Sequence, residues 1–323
     1  MVSDKKIALL GLDNAGKTSI LTAMRKKFDV PEAVKGLKPT KKIERSSVTF
    51  MDHLIYLHDF GGQKHYMDEY LKNKMRYLSG IDLLIYVIDI QDSLRFDSAI
   101  AYLDEVLEFF EENKIDAPIV VCLHKCDPKI GEDPTILKNM GIVKHRIRPW
   151  LEKFKMGFYK SNIFEIHTII QAFSRGISML YTQNEAVQKF LLDIVDKMEN
   201  VMALLVFEQN GIEIGSYFLE NLTLTMKKKI LTLYEIVQRR ILDGNMNSYE
   251  FSDRLDWATK VSGVIQSFDI EGLLFFVLLI LEEHDEAVVI DQFNFFEQSY
   301  NEIYEILRGI LVDDEEKTKQ LNG

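Results

Sequence analysis

Short apolar runs and helical patterns alternate along the first 180 residues. Lys6–Gly11 (KIALLG) predicts a buried strand, followed by a Gly-rich turn and a helix from Lys17 to about Phe28. Ser47–Asp59 carries strand-like alternation. Asp82–Ile90 (DLLIYVIDI) is almost wholly apolar, as befits a central parallel strand covered on both faces. Within Ser98–Asn113, Ile100, Leu103, Val106, Leu107 and Phe110 recur at helical spacing. IVVCLHK after Pro118 predicts another buried strand, and Asn162–Thr168 (NIFEIHT) the last, with a helix beyond. Alternation of this kind predicts a doubly wound, mostly parallel α/β sheet.

From about residue 185 the order changes. A helix over Glu185–Asn200 leads to strands at Met202–Glu208 and Ile212–Leu219, joined by Gln209-Asn210-Gly211, and Asn-Gly is a strong hairpin signal. Further helices are predicted over Leu222–Leu242 and around Leu255–Phe268. Paired strands follow at Leu273–Glu282 and Ala287–Asp291, then a last helix over Phe293–Leu311. This is the pattern of an α+β module with helices on an antiparallel sheet. The expected organisation is one domain over 1–183, a second over 184–312, and a flexible tail over 313–323 (DDEEKTKQLNG).

Charge reinforces the division. The 323 residues include 39 Lys and Arg against 50 Asp and Glu, a net −11 that argues against a general nucleic-acid binder. Residues 1–180 hold 27 basic and 24 acidic side chains, a balance of +3, and residues 181–323 hold 12 and 26, a balance of −14. The acidity belongs to the second part. The longest apolar run, Leu273–Leu281, is nine residues, short of the roughly 20 that span a bilayer. The N-terminus lacks the apolar region of a signal peptide, and residue 2 is Val rather than the Gly of a myristoylation signal. Cys122 and Cys126 are about 13 Å apart along an extended chain, too far for a disulfide. A reducing, cytoplasmic setting is expected.

The candidate chemistry sits at the ends of the predicted strands. Gly11-Leu12-Asp13-Asn14-Ala15-Gly16-Lys17-Thr18 fits G-x-x-x-x-G-K-[ST] at every fixed position, after a strand and opening a helix. Its glycines let backbone N–H groups curl toward phosphate oxygens, Lys17 would reach the β- and γ-phosphates, and the Thr18 hydroxyl would bind Mg²⁺. Asp59-Phe60-Gly61-Gly62-Gln63 ends the next strand region: Asp59 is the expected second metal contact, Gly62 the detector of the γ-phosphate, and Gln63 the orienter of attacking water. Thr40, 22 residues after Thr18 and preceded by Pro39, is expected to join the metal when GTP is bound.

His124-Lys125-Cys126-Asp127 ends another buried strand. A carboxylate there can accept hydrogen bonds from N1–H and the 2-amino group of guanine, donors that adenine does not offer in that arrangement, so Asp127 selects GTP and GDP over ATP. The Lys125 stem would pack on the base. The usual first residue of this motif is Asn, and His124 departs from it. His167-Thr168-Ile169 follows the expected last strand, where a backbone N–H of Thr168 or Ile169 would meet the guanine O6. No arginine is evident to complete the catalytic set in cis, so unaided hydrolysis should be slow. The basic cluster Lys35, Lys38, Lys41, Lys42 and Arg45 flanks Thr40 and reads foremost as a solvated face, with an acidic partner surface as the alternative.

Together these motifs resemble the Ras-like small GTPases. GLDNAGKTS looks like the Arf-like phosphate loop, whereas PTKKIERSSVTF, DFGGQKHYMDEYL, DLLIYVIDI and HKCD look like Rag-type GTPases, whose guanine motif also begins with His. MENVMALLVFEQNGIEIGSYF, the helices after it and GLLFFVLLIL are similar in order to the roadblock or longin-like domain that Rag-type proteins carry. The resemblance implies phosphate contacts from Asn14 to Ser19, magnesium at Thr18 and Thr40, Asp59 and Gln63 in the switch, and base recognition at His124, Lys125 and Asp127. The expected partners are a second subunit, in a homo- or heterodimer, and effector, activating and exchange proteins. An Arf-type N-terminal amphipathic helix is missing, so direct membrane insertion is not implied. Two competing readings are a constitutively nucleotide-bound scaffold, opposed by the intact Lys17, Asp59 and Gln63, and a P-loop ATPase or kinase, which would need adenine recognition.

Overall fold

The structure, a computed structural model, describes residues 5–26, 37–50, 53–127, 133–180, 184–209, 211–283 and 285–309. They fall into two compact units, the first ending at Leu180. Asn210, Lys35, the helix ends expected at Phe28 and Leu311 and the tail 313–323 lie outside the described residues.

The first unit runs β1 (Lys5–Leu10), α1 (Lys17–Lys26), β2 (Ile43–Phe50), β3 (His53–Phe60), α2 (Lys64–Lys72), α3 (Lys74–Leu78), β4 (Leu83–Asp89), α4 (Phe96–Glu112), β5 (Ile119–His124), α5 (Pro134–Ile147), β6 (Met156–Ser161) and α6 (Ile166–Leu180). The strands form one sheet in the order β2-β3-β1-β4-β5-β6, with β2 antiparallel to β3 and every other pair parallel. Leu84, Tyr86 and Ile88 share one buried cluster with Ile100, Leu103 and Val106 of α4 and Met140 and Val143 of α5. Leu83 and Val120 point the other way, against α6. A Cβ added at Gly176 of that helix would stand 2.8 Å from Leu83 Cδ2, so helix and sheet approach closely there. Burial on both faces is why β4 is apolar at successive positions. The parallel order also brings the carboxyl ends of β1, β3, β4, β5 and β6 to one edge, where sheets of this kind bind ligands.

The second unit contains α7 (Asn184–Val195), β7 (Val201–Glu208), β8 (Glu213–Phe218), α8 (Leu224–Gly244), β9 (Ser248–Arg254), β10 (Lys260–Ile270), β11 (Leu273–Glu282) and α9 (Glu286–Gln298), and residues 300–309 are again helical. Its five-stranded sheet is antiparallel throughout, in the order β8-β7-β11-β10-β9. Ile230, Leu233, Tyr234, Val237 and Ile241 of α8 pack on Ala203, Leu205, Ile265, Phe276 and Leu278, and Phe207 stacks on Tyr234 at 3.8 Å. α7 covers β8 closely enough that a Cβ at Gly215 would lie 2.9 Å from Val187 and Leu191.

Three sequence expectations are corrected. Leu255–Phe268, expected to be helical, holds most of β10. Val261, Val264, Ile265 and Phe268 have helical spacing because β10 is an interior strand buried on both faces, which removes the alternation that marks a half-buried strand. Ala287–Asp291, expected to be a strand, lies in α9: the Asp285 side chain accepts the Ala287 N–H at 2.9 Å and caps the helix over its β-branched run. The last strand of the first sheet is Met156–Ser161 rather than Asn162–Thr168. The Asn162 Oδ1 accepts the N–H groups of Phe164 and Glu165 at 2.9 and 2.8 Å, turning the chain into α6.

Candidate nucleotide-binding site

The loop between β1 and α1 is shaped by sterics. Gly11 (φ +142°) has no room for a side chain, since a Cβ would lie 2.3 Å from the Val87 carbonyl oxygen. Asn14 adopts φ +59°, a conformation that Asn tolerates. Ala15 is buried beneath the loop. Lys17, Thr18 and Ser19 form the first turn of α1, which contains no acidic residue and presents its free N–H groups to the cleft. Lys17 is 5% exposed and its Nζ donates to the carbonyls of Gly11 and Leu12 at 2.9 and 2.7 Å. Burial lowers its pKa to about 8, opposed by Asp59 and Asp13 and assisted by Arg95.

Three oxygens from three elements converge beside Lys17. The Thr18 hydroxyl donates to Asp59 Oδ2 at 2.6 Å and lies 2.7 Å from the Thr40 hydroxyl, which itself donates to Asp59 Oδ2 at 3.0 Å. Asp59 is 2% exposed, and its second oxygen, Oδ1, is buried with no hydrogen-bond partner. A carboxylate with a bare buried oxygen among two hydroxyls is a hard oxygen donor set, which suits Mg²⁺.

The loop after β3 is fastened to its neighbours by backbone. The Gly62 carbonyl accepts the Asp13 N–H at 2.8 Å, and a Cβ at Gly62 would stand 2.3 Å from the Asp13 nitrogen, so only glycine fits against the phosphate loop. The Gly61 N–H donates to the Lys42 carbonyl at 2.6 Å, and the Tyr70 hydroxyl to the same oxygen at 2.7 Å. The loops bearing Thr40 and Gln63 are thus joined to each other. Gln63 precedes α2 in extended conformation, with its side chain half-buried on the cleft. Lys38, Lys41, Lys42 and Arg45 are exposed.

At the other end, His124 does not line the cleft. Its ring, 2% exposed, abuts Gly16, where a Cβ would stand 2.4 Å from His124 Cδ2, and its Nδ1 shares a hydrogen bond with the Ser161 hydroxyl at 3.0 Å. Burial, with Lys125 adding to it, pushes its pKa down to about 4, so the imidazole is neutral at neutral pH. Lys125 (φ +59°) lines the cleft, and its Nζ pairs with Asp89 at 2.7 Å. Asp127 is half-buried. Gln91 Nε2 lies 3.4 Å from its Oδ2 and donates to the Lys125 carbonyl at 2.6 Å.

The cleft, about 800 Å³ including solvent at its mouth, is bordered by Asp13, Asn14, Gly16, Lys17, Thr18, Ser19, Thr40, Gly62, Gln63 and Lys125. Thr168 and Ile169 are placed elsewhere than expected. Both lie in α6: the Thr168 N–H donates to Glu165, its hydroxyl to Glu165 and Asn162, and Ile169 is buried. The segment level with Asp127 is instead the turn that begins at Asn162, whose Nδ2 donates to the Cys126 carbonyl at 3.2 Å. Ser161-Asn162 is a turn signal legible in the sequence. Arg95 carries no such signal. It follows β4 and donates from Nη1 to the Asp13 carbonyl at 3.0 Å while Nη2 pairs with the Asp13 carboxylate.

A mostly parallel sheet with a phosphate loop after β1, a Thr–Thr–Asp oxygen cluster and a Gly-Gly-Gln loop defines a small GTPase. The chain belongs to the Gtr1/RagA G protein family, whose conserved region matches residues 6–236 and so runs past Leu180 into the second unit. It is also similar to ADP-ribosylation factor-like protein 3 of Chlamydomonas reinhardtii, at 34% identity over 149 residues, covering 46% of this chain and 77% of that protein. The same protein of Caenorhabditis elegans is 38% identical over 145 residues, covering 44% and 73%. Among solved structures, the Arl6 BBS3 small GTPase of Trypanosoma brucei, with its bound nucleotide analogue GppNp, is 17% identical with a TM-score of 0.44, covering 55% of this chain and 98% of that chain. Family membership implies guanine-nucleotide binding and GTPase activity.

Proposed function

We propose that the protein is a molecular switch in which GTP holds the loops at Thr40 and at Gly62–Lys64, hydrolysis releases them, and partners read the difference. The observation that carries this reading is the tie between the loops: Thr40 to Thr18 and Asp59, Gly61 to Lys42, and Gly62 to Asp13. These ties gather both loops around the Thr18–Thr40–Asp59 cluster, where a γ-phosphate and its metal would sit, so loss of that phosphate would remove a support that the two loops share.

The roles follow from placement. Backbone N–H groups from Asn14 to Ser19 cradle the phosphates, and Lys17 holds the β- and γ-oxygens. Thr18, Thr40 and Asp59 hold Mg²⁺, which neutralises phosphate charge when bound. Gln63 orients the attacking water. Asp127 accepts from the guanine edge, Lys125 packs on the base, and His124 braces Gly16 from below. Lys17, the second catalytic residue, and the metal stabilise the developing charge; Arg95 is engaged by Asp13 and adds nothing to it, so turnover without an activating partner is slow. Hydrolysis by a Gln63→Leu variant tests the reading. The variant is expected to bind nucleotide like the parent and to hydrolyse GTP at least about tenfold more slowly, and an unchanged rate would overturn the role.

The second unit, over 184–312, serves as a roadblock or longin-like dimerisation module on this reading. β8 and β9 are the edges of its sheet, and such edges pair with a second copy or a related chain. Trp257, in the turn between β9 and β10, is 90% exposed. Light scattering of the full chain across concentrations checks this, with a dimer expected and a monomer at all concentrations counting against it. No helix among the described residues is long and apolar enough to cross a membrane. A cytoplasmic protein recruited to membranes only through its partners fits the proposed role.

A further inference from the structure

Asp13 places a carboxylate on the rim of a cleft that is to hold a polyphosphate, and at a separation of a few ångströms that charge opposes the ligand. The structure supplies its counterion from another element. Arg95 stands at the end of the turn Ser93–Arg95 after β4, its N–H fixed to the Asp92 carbonyl at 3.1 Å. Its guanidinium grips two acceptors of one residue, the Asp13 carbonyl through Nη1 and the Asp13 carboxylate through Nη2. A planar fork can do this, and an ammonium cannot match the geometry. The residue so held also donates its own backbone N–H to the Gly62 carbonyl, at 2.8 Å.

We infer that Arg95 is a positioning residue of the nucleotide site: it cancels the Asp13 charge and holds the backbone at Asp13, so that the phosphate loop can accept a triphosphate and hold the Gly62 loop at once. The demand is greater for GTP than for GDP, because the additional phosphate would bring more negative charge to the cleft that Asp13 and Gly62 both border. Asp13 and Arg95 are therefore coupled. Arg95 matters because Asp13 is acidic, and its loss is repaired by removing that acidity.

The inference rests on the nucleotide reading of the cleft. Its test is a titration of the full chain with fluorescent GDP and a non-hydrolysable GTP analogue, in the parent and in Arg95→Ala, Arg95→Lys, Asp13→Asn and the double variant Asp13→Asn/Arg95→Ala. Arg95→Ala should weaken the GTP analogue about five- to tenfold, as expected when a partly exposed ion pair beside a charged ligand is opened, and GDP by less. Arg95→Lys should recover part of the loss, and the double variant should return to within about twofold of the parent. An Arg95→Ala variant that binds like the parent, or a double variant as weak as Arg95→Ala, overturns the inference. If Arg95→Ala does not fold, Arg95→Lys measured with and without Asp13→Asn decides the same question. A parent that binds no guanine nucleotide takes the site reading down with it. A parent that binds, with no coupling between the two positions, refutes the role of Arg95 alone.

Discussion

The Thr40 hydroxyl donates to the same Asp59 oxygen that accepts the Thr18 hydroxyl, at 3.0 and 2.6 Å. A loop residue, a helix residue and a strand-end carboxylate are thereby held at one point, with Asp59 Oδ1 bare beside them. Thr18 belongs to the phosphate loop's own helix, whereas Thr40 reaches the point only through its loop. The two hydroxyls should therefore answer differently to the nucleotide. In the parent, chelating Mg²⁺ should speed release of both GDP and a GTP analogue. Thr18→Ala should abolish most of that effect for both, a change of at least about tenfold as for loss of a metal contact, and Thr40→Ala for the GTP analogue only. Stopped-flow release with and without chelator measures this, and a parent indifferent to chelation contradicts the metal assignment.

Lys17 yields a pH dependence of known sign. Its pKa, lowered to about 8 chiefly by burial, rises when phosphate charge arrives, so binding takes up a proton wherever the free lysine is neutral. Affinity is then full below pH 8 and falls as pH rises through 8, by up to about tenfold per unit. Kd should be weaker at pH 9 than at pH 7, with proton uptake visible by calorimetry in buffers of different ionisation enthalpy. Lys17→Met should bind weakly and without this slope.

His124 predicts a stability effect. Its folded pKa of about 4 lies below the usual 6.5, so the unfolded chain takes up the proton first on acidification. The stability tied to its neutral form is complete above pH 6.5 and is lost as pH falls toward 4, about 3 kcal/mol at most. Denaturant midpoints for the parent should drop more steeply over that range than for His124→Gln. His58, also pushed down to about 4 by burial with Lys6 and Arg45, is present in both proteins and keeps part of the slope.

How much of the fold could be read in advance differs between the units. In the first, Leu83–Ile88 and Ile119–Leu123 are apolar at successive positions because helices cover both faces, and glycine loops follow β1 and β3, so composition and order agree. In the second, the spacing of Val261, Val264, Ile265 and Phe268 suits a helix as well as an interior strand. What decides is the pairing of β10 with β11 and β9, a long-range fact. The site divides in the same way. Lys17, Thr18, Asp59 and Gln63 sit in contiguous motifs, whereas Arg95 meets Asp13 across 82 positions of sequence, and Thr168 falls inside α6 because the last strand ends at Ser161 and Asn162 turns the chain there.

Asp127 gives the test of base selection. Inosine lacks the 2-amino group of guanine, so a carboxylate that accepts from that group binds GTP more tightly than ITP. Loss of one charge-assisted hydrogen bond corresponds to roughly tenfold or more. Asp127→Ala should bind both weakly and nearly equally. Equal affinity of the parent for GTP and ITP would remove Asp127 from the base site.

The most direct measurement is a titration of the parent with fluorescent GDP and fluorescent ATP, each with and without Mg²⁺. The account predicts tight GDP binding strengthened by Mg²⁺ and little ATP binding under either condition. Preference for ATP, or equal binding of the two, would contradict it.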